Sequence, residues 1–531
     1  MRRLAVLLLL SGLLAPAAAR AGLDPKALAG LAAEDADERI AAIRALVAQG
    51  DPATPGVLQA YADEALSVAG GRVLREQPDG RVVEAATGAP VEPAPEDRET
   101  LTVNNRIRRE VEAGLSALRL VSADRAVRLA AARELAAAED PELAPLLRKA
   151  LAGERDDGIR FLLGQTLAQI DVNSPDPAVR LGAVRALGGS GSRAIIPLLR
   201  SLADERTEPD AAVRREAVAS ARRVESRIAA GDLLGRVFSG LSLASILLLA
   251  ALGLAITYGV MGVINMAHGE FLMVGAYSAF AMERLFARVA PGLAAFYVLA
   301  AIPLAFAAAF LVGVAVERTV VRFLYGRPLE TLLASWGVSL ILIQAARVVF
   351  GAQNVQVPNP SWMSGGIEPM TGFALPWNRV VIVAFALGVL LAVWLLLNRT
   401  RLGLFVRAVT QNRAMAGCVG VPTPRVDALA FGLGAGIAGL GGVALSQIAN
   451  VGPDMGQGYI IDSFLVVVLG GVGQLAGAIW AALGLGVASK FLEASQGAVI
   501  AKIVILALVV AVIQKRPQGL FAPRGRTVEA P

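Results

Sequence analysis

Apolar residues are arranged in two different ways along this chain, and the change falls near residue 230. Before it, apolar positions recur every three or four residues among Arg, Asp and Glu, which predicts amphipathic helices. After Leu233 the apolar runs approach the roughly 20 residues that a bilayer-spanning helix needs. Seven long runs lie at about 235–258, 270–287, 293–316, 330–350, 379–397, 427–449 and 498–514, and two shorter or glycine-broken runs at about 460–472 and 475–492. We therefore predict eight or nine membrane crossings behind a helical domain.

A short apolar run stands at the beginning of the chain. Arg2 and Arg3 precede apolar residues 4–14, and Pro16 and three alanines follow. A positive end, a short apolar core and small residues are typical of a secretory signal peptide, with an uncleaved anchor as the alternative. Either interpretation places the following segment outside the cytoplasm. We predict a signal peptide over 1–21, a helical extracytoplasmic domain over 22–230 and a membrane domain over 231–525.

A short repeat runs through the helical half, in which an Asp precedes Val-Arg or Ile-Arg. The repeats begin at Asp124, Asp157, Asp176 and Asp210. Each Asp can cap a helix by accepting from free backbone N–H groups. The Val or Ile then begins the buried stripe, and we expect the Arg to remain in solvent. The spacing of about 20 to 34 residues resembles HEAT-like α-solenoid repeats, and a plain Ala-rich helical bundle is the alternative.

Residues 71–88 depart from the helical pattern. Two alternating arms flank Pro78-Asp79-Gly80, which predicts a β-hairpin. The first half contains no histidine, and its sequence shows no metal-ligand cluster, carboxylate pair or nucleophile–base set. We therefore expect an interaction or support domain without catalytic residues, metal or cofactor, and not an enzyme.

Basic residues in the second half predict how the chain crosses the membrane. The net charge of +6 could indicate nucleic acid, but these residues flank apolar runs, as a cytoplasmic membrane face requires. We expect no nucleic-acid partner. Residues 351–378 contain Trp362 and Trp377 but no Lys or Arg, which is typical of an outer loop. The basic clusters lie between the third and fourth runs, between the fifth and sixth, and after the last, which predicts a cytoplasmic C-terminus.

One segment brings polar chemistry to membrane depth. Residues 258–270 contain Asn265, Glu270 and the single histidine of the chain, His268. Ionisable groups at membrane depth are costly and usually serve a transport pathway or a partner. Gly262 and Gly269 would let the helix break, and broken helices line substrate cavities. The alternative is a surface loop that joins two neighbouring helices.

Four motifs in this half carry a resemblance to a known family. Gly262 to Glu270 resembles the signature of permeases in the branched-chain amino acid (LIV) family of ABC importers. The other three motifs lie in the same order as in that family, at 331–340, 401–420 and 469–478. The resemblance implies an all-α, polytopic transmembrane permease in the bacterial inner membrane. The helical N-terminal extension and Trp336 are similar to the urea-transporting branch, so we expect urea as the solute. Branched-chain amino acids or short amides are the alternative.

The resemblance also implies roles for individual residues. The ATPase coupling helix would lie in a helical stretch from Leu404 to Cys418. Its contact residues would be Arg407, Ala408, Gln411, Asn412, Ala416, Gly417 and Gly420. The acidic residue usual in that motif is missing, and Gln411 and Asn412 stand near its place. The translocation pathway would include Asn265, His268, Glu270, Ser335 and Ser339.

The sequence has no GxxxxGK[ST] phosphate loop, so a partner would have to bind ATP. The family implies two ATP-binding cassette subunits, a second homologous permease and a periplasmic solute-binding protein, besides membrane lipid. An ion-coupled secondary transporter and a membrane-anchored scaffold or sensor are the rival classes.

Overall fold

The computed structural model describes residues 23–521, except for positions 50, 52, 78–79, 94, 96, 121, 139–140, 142–143 and 371–372. The predicted signal peptide lies outside these residues, as do the basic residues Arg524 and Arg526. The chain divides into two compact units, one up to Ser226 and the other from Arg227.

The first unit is mainly helical. Its helices are α1 (Pro25–Gly30), α2 (Ala36–Gln49), α3 (Thr54–Ala62), α4 (Asn105–Arg119), α5 (Arg125–Ala138), α6 (Ala144–Gly153), α7 (Asp157–Asp171), α8 (Pro177–Leu187) and α9 (Ile195–Ser201). A further helix, α10 (Ala211–Met261), begins here and ends in the second unit. The strands are β1 (Leu66–Ala69), β2 (Arg72–Glu76), β3 (Val82–Glu84) and β4 (Glu99–Thr100).

These strands form one small antiparallel sheet in the order β3-β2-β1-β4. The predicted hairpin is confirmed as β2 and β3, with Arg75 opposite Val83. The sequence interpretation missed β1 and β4. It also missed a second hairpin, which β1 and β2 form. Gly70 and Gly71 make the two-residue turn of this hairpin, with φ of 58° and 76°. Two left-handed residues give a turn whose twist matches paired strands, and glycine adopts that conformation without steric cost.

The predicted helix caps are present, with one shift. Asp124, Asp176 and Asp210 each accept a hydrogen bond from the backbone N–H two residues later, at 2.7, 2.8 and 2.7 Å. The prediction that Asp157 caps α7 is wrong. Asp156 makes that bond, to the N–H of Ile159 at 3.0 Å, because its backbone is extended where the helix begins. An aspartate therefore caps each of these four helices, although in α7 it is the residue before the predicted one.

Three arginines of the repeat, Arg128, Arg180 and Arg214, do not remain in solvent, contrary to the expectation, whereas Arg160 is 56% exposed as expected. Arg180 donates to both carboxylate oxygens of Glu208 at 2.7 Å. The same guanidinium donates to the carbonyls of Ser174 and Pro175, at 2.8 and 3.0 Å. Arg128 bonds Glu154 and two preceding carbonyls in the same way. The carbonyls freed where one helix ends need donors, and a planar guanidinium supplies several at once.

The second unit contains ten further helices. They are α11 (His268–Val289), α12 (Tyr297–Thr319), α13 (Pro328–Phe350), α14 (Trp377–Arg399), α15 (Arg401–Gln411), α16 (Arg413–Cys418), α17 (Thr423–Ser446), α18 (Met455–Gly470), α19 (Leu475–Gln496) and α20 (Ala498–Lys515). Short 3-10 turns lie at Pro291–Phe296, Val321–Phe323 and Ser361–Met363. Strands β5 (Gly366–Met370) and β6 (Phe373–Pro376) pair in the predicted outer loop.

Each of the nine predicted apolar runs coincides with a helix. Among the described helices, seven are long and apolar enough to cross a membrane: α10, α12, α13, α14, α17, α19 and α20. Helix α18 is apolar but has only 16 residues. Helix α11 has 22 residues and carries several charged side chains, yet it packs against α12 and α17. The second unit is therefore a polytopic helical membrane domain.

Helix α17 is the centre of this domain and is almost entirely buried. Its glycines allow neighbouring helices to approach closely. A Cβ at Gly442 would overlap the backbone carbonyl of Leu272 in α11, and one at Gly439 would lie 2.9 Å from the carbonyl oxygen of Ala305 in α12. Gly432 and Gly436 receive the rings of Phe310 and Phe306.

The interlocked Arg180 and Glu208 pair yields a prediction about stability and pH. The guanidinium hydrogen bonds lower the pKa of Glu208 below its ordinary value of 4.5. The stabilisation is therefore complete above that ordinary value and is lost as pH falls through the lower folded-state pKa. We expect Glu208→Gln to speed amide hydrogen exchange in α8 roughly tenfold at neutral pH, since a charged hydrogen-bonded pair is lost.

The matched control is Glu205→Gln, because the Glu205 carboxylate is largely exposed and lies 3.6 Å from Arg214. Exchange measured by mass spectrometry on the full chain should differ little between this control and the wild type. Equal protection of α8 in the wild type and in Glu208→Gln at neutral pH would contradict the prediction.

Candidate functional site

The chain breaks between α10 and α11, inside the signature segment. Helix α10 ends at Met261, residues 262–267 are not helical, and α11 begins at His268. Gly262 has a φ of 66°, which side-chain-bearing residues rarely adopt, so glycine lets the helix stop here. The predicted break is confirmed at Gly262, but the expectation that Gly269 breaks the chain is wrong, because Gly269 lies inside α11.

Asn265 organises this break and is buried. Its side-chain oxygen accepts from the backbone N–H of Ala267 at 3.0 Å, just before α11. Its amide nitrogen finds no partner among the described residues. Ser335 of α13 accepts from the N–H of Met266 at 3.0 Å and donates to the carbonyl of Leu332. Two of the predicted pathway residues therefore satisfy backbone groups that the break exposes.

The other three predicted pathway residues are also buried. Glu270 accepts a 3.0 Å hydrogen bond from Ser339 of α13 through one carboxylate oxygen. The other oxygen has no hydrogen-bond partner among the described residues. His268 lies 2.9 Å from the carbonyl oxygen of Ala250, through Nε2, and its ring meets Phe271 edge to face. Histidine 268 thus joins α11 to α10.

A cavity of about 100 Å³ opens beside the break. Asn265 is the member of the predicted pathway set that lines it. The remaining lining is mostly apolar and comes from α10, the break and α18: Leu254, Tyr258, Ile264, Met266, Ile460, Ile461, Phe464 and Val467. The sequence interpretation missed the α18 residues, although that run had been noted as glycine-broken. Their helical spacing brings 460, 461, 464 and 467 to one face.

The predicted coupling stretch is two helices instead of one. Helix α15 ends at Gln411, and Asn412 leaves the helical conformation with φ of −153°. The Asn412 side chain accepts from the N–H of Met415 at 2.9 Å and so caps α16. The helical stretch expected from Leu404 to Cys418 is present, with one interruption at Asn412, where an asparagine cap starts a second helix.

We call residues 411–420 the tip. Among the predicted contact residues, Gln411, Asn412, Gly417 and Gly420 are exposed here. Within the tip, Ala416 is buried, and Ala408, which precedes the tip, is half-buried. Arg407 turns back to donate to the carbonyl of Leu397 at 2.8 Å, at the end of α14.

Sequence reasoning missed the most distinctive feature of the tip. Met415 is 60% exposed and Val419 is 72% exposed, one helical turn apart. Large apolar side chains exposed together beside polar neighbours are typical of a docking surface. Their spacing of four could have been noticed in the sequence, but their exposure depends on how α16 packs.

Comparison with known proteins adds family models that match both units. The model described as branched-chain amino acid transport system / permease component matches residues 236–513. A model of HEAT repeats matches residues 164–237, which agrees with the HEAT-like interpretation of the first unit. No solved structure matches the chain.

Several transport proteins are similar to the second unit. BraD of Pseudomonas aeruginosa, a high-affinity branched-chain amino acid transport system permease protein, is 31% identical over 296 residues, which cover 54% of this chain and 95% of the relative. LivH of Escherichia coli K12, described in the same words, is 30% identical over 293 residues, with the same coverage. The ribose import permease protein RbsC of Escherichia coli K12 is 30% identical over 139 residues, 24% of this chain and 43% of the relative.

The helical membrane domain, with its interrupted helix and exposed tip, defines a polytopic membrane permease. The chain belongs to the family of branched-chain amino acid transport system permease components. The relatives are transport permeases, which supports the expectation that the chain is not an enzyme.

Proposed function

We propose that the second unit forms part of the solute pathway of an ATP-driven importer in the bacterial inner membrane. The observation that carries the proposal is the tip, with Met415 and Val419 exposed between two membrane helices. A short helix with an apolar surface on an Arg-rich loop suits a groove in a cytoplasmic ATPase. Family membership over residues 236–513 supports the same assignment.

The distribution of arginines supports an orientation. Arg399, Arg401, Arg407 and Arg413 flank or belong to the segment that carries the tip, and basic loops remain in the cytoplasm. The C-terminus then faces the cytoplasm and the first unit faces the periplasm. This requires an odd number of crossings, which nine helices provide if α11 and α18 both cross.

The chain would work with several partners. Two ATP-binding cassette subunits would bind at the tips of this chain and of a second homologous permease, and a periplasmic protein would deliver the solute. ATP-driven closure of the ATPases would shift the tips and turn the cavity from one side of the membrane to the other. Asn265 would line the solute path, with Glu270, Ser335, Ser339 and His268 around the break.

Two solutes are candidates. Branched-chain amino acids are supported by the printed descriptions of BraD and LivH and by the aliphatic lining of the cavity. Urea is supported by the first unit, since a helical N-terminal extension resembles the urea-transporting branch. The match to BraD covers 95% of that relative but only 54% of this chain, so the first unit is additional to it. Trp336, the other basis for urea, is half-exposed on α13 and is not part of the cavity lining. Of the two candidates, the comparisons favour branched-chain amino acids. Short amides are chemically close to urea and are considered together with it.

Uptake measurements test the function and the solute together. A strain that lacks the gene is complemented with the wild-type chain and supplied with labelled leucine or labelled urea. We expect leucine uptake to return and to stop when a partner ATPase is deleted. Return of urea uptake alone would select the second candidate. Uptake that ionophores abolish and ATPase deletion spares would select a secondary transporter, and absence of both fluxes would contradict the proposal.

The cavity predicts a role for the unpartnered amide of Asn265. Asn265→Asp keeps an oxygen that can accept from the N–H of Ala267 but removes the NH₂ donor, which has no partner among the described residues and belongs to a side chain that lines the cavity. We expect the apparent KM for uptake to rise about tenfold, as for loss of one hydrogen bond to the solute. An unchanged KM, in a variant that expresses and elutes like the wild type, would remove Asn265 from the pathway.

Cys418 allows the tip to be probed directly, because it is exposed beside Val419. A membrane-impermeant maleimide should label Cys418 in inside-out vesicles and leave it unlabelled in intact cells. Adding the ATPase subunits to the vesicles should then slow the labelling severalfold, because docking covers the tip. Cys418→Ser is the control for reaction elsewhere. Labelling from outside intact cells would overturn the orientation, and unprotected labelling would overturn docking at the tip.

A further inference from the structure

A group of polar side chains connects the tip to the helices that pack against it, and this group includes neither the predicted pathway residues nor the exposed Met415 and Val419. Arg413 opens α16 and donates through Nη1 to Asp427 of α17 at 3.0 Å, while Nη2 bonds the second carboxylate oxygen. Asp427 is fully buried, whereas Arg413 remains partly exposed. A buried carboxylate is stable only with its charge partner in place. The ion pair therefore ties the tip to the most buried helix of the domain.

The same guanidinium connects to a second helix through an aromatic ring. It lies over the Tyr325 ring, 4.7 Å from the centroid. The Tyr325 hydroxyl donates to Glu317 of α12 at 2.9 Å, and the other oxygen of that carboxylate lies 3.8 Å from Nε of Arg318. Glu317 is buried, so this hydroxyl bond is one of few polar contacts that its carboxylate has. Tyr325 thus stands between the tip and α12.

Tyr325 also reaches the helix break. Its hydroxyl lies 3.2 Å from the sulfur of Met261, the last residue of α10. Met261 immediately precedes Gly262, where the backbone turns, and Asn265 lines the cavity three residues later. A continuous series of contacts therefore runs from the first residue of α16 to the segment beside the cavity.

We propose that Arg413, Asp427, Tyr325 and Glu317 form a latch that passes displacement of the tip to the break at Met261–Gly262. The latch rests on the proposed function, because it requires an ATPase that moves the tip. Coupling between distant sites is carried by hydrogen-bond and salt-bridge networks and by rigid helices that have two discrete arrangements. The four side chains are positioning residues: they couple ATP hydrolysis to opening of the pathway without touching the solute.

The test uses the complete transporter in proteoliposomes and measures ATP hydrolysis and solute uptake in parallel. Tyr325→Phe keeps the ring under Arg413 and removes the hydroxyl that reaches Glu317 and Met261. We expect ATP hydrolysis within about twofold of the wild type and uptake per ATP about tenfold lower, within the range known for coupling residues. Tyr277→Phe is the matched control, because the Tyr277 hydroxyl makes no hydrogen bond to the described residues.

A second variant guards against misfolding. Arg413→Gln alone leaves Asp427 buried without its charge partner, so the double variant Arg413→Gln, Asp427→Asn removes both charges together. It should also hydrolyse ATP with a lowered yield of uptake. A wild-type ratio of uptake to hydrolysis in both variants would overturn the latch, and so would an equal fall of hydrolysis and uptake, which indicates a role in docking or folding only. Failure of the proposed function is separate, since the wild type itself would then show no ATP-dependent uptake.

Discussion

The membrane unit depends on how closely other helices can approach α17. In lipid, the hydrophobic effect does not drive helices together, so association relies on tight van der Waals contact and polar bonds. Glycines of α17 supply that contact, since Gly439 and Gly442 leave room for the backbones of α12 and α11. Gly434 meets Gly253 of α10 in the same way. The broken signature segment is held in place because the helices on both sides of it rest on this one core.

Breaking a helix inside a membrane exposes backbone groups that water cannot satisfy. The chain meets that cost with short polar side chains. Asn265 and Ser335 accept from the backbone N–H groups of Ala267 and Met266. The side-chain amide nitrogen of Asn265 has no partner among the described residues, and Asn265 lines a mostly apolar cavity. The polar side chain of Asn265, which the helix break requires, is thereby also suited to hydrogen-bond a polar group of a solute.

The first unit solves a similar problem in water by a different means. Asp124, Asp176 and Asp210 each cap a helix, and the Arg four residues after each of them donates back to carbonyls of the loop before that helix. In two repeats the same Arg also binds a Glu further along the chain: Arg128 binds Glu154, 26 residues onward, and Arg180 binds Glu208, 28 residues onward. In these two repeats one guanidinium therefore connects the loop before its own helix with a carboxylate near the start of a later helical segment.

The sequence by itself determined the helical and membrane-spanning character of the chain, because both follow from local hydrophobic periodicity and run length. It also located the helix break at Gly262 and the hairpin of β2 and β3, since glycine and turn residues act on their own backbone. The tertiary structure alone decided which distant groups meet. Ser339 bonds Glu270 across 69 residues, and Arg413 pairs with Asp427 only because α16 folds back against α17. Such pairings depend on three-dimensional approach between helices, and neither periodicity nor local turn chemistry encodes that distance.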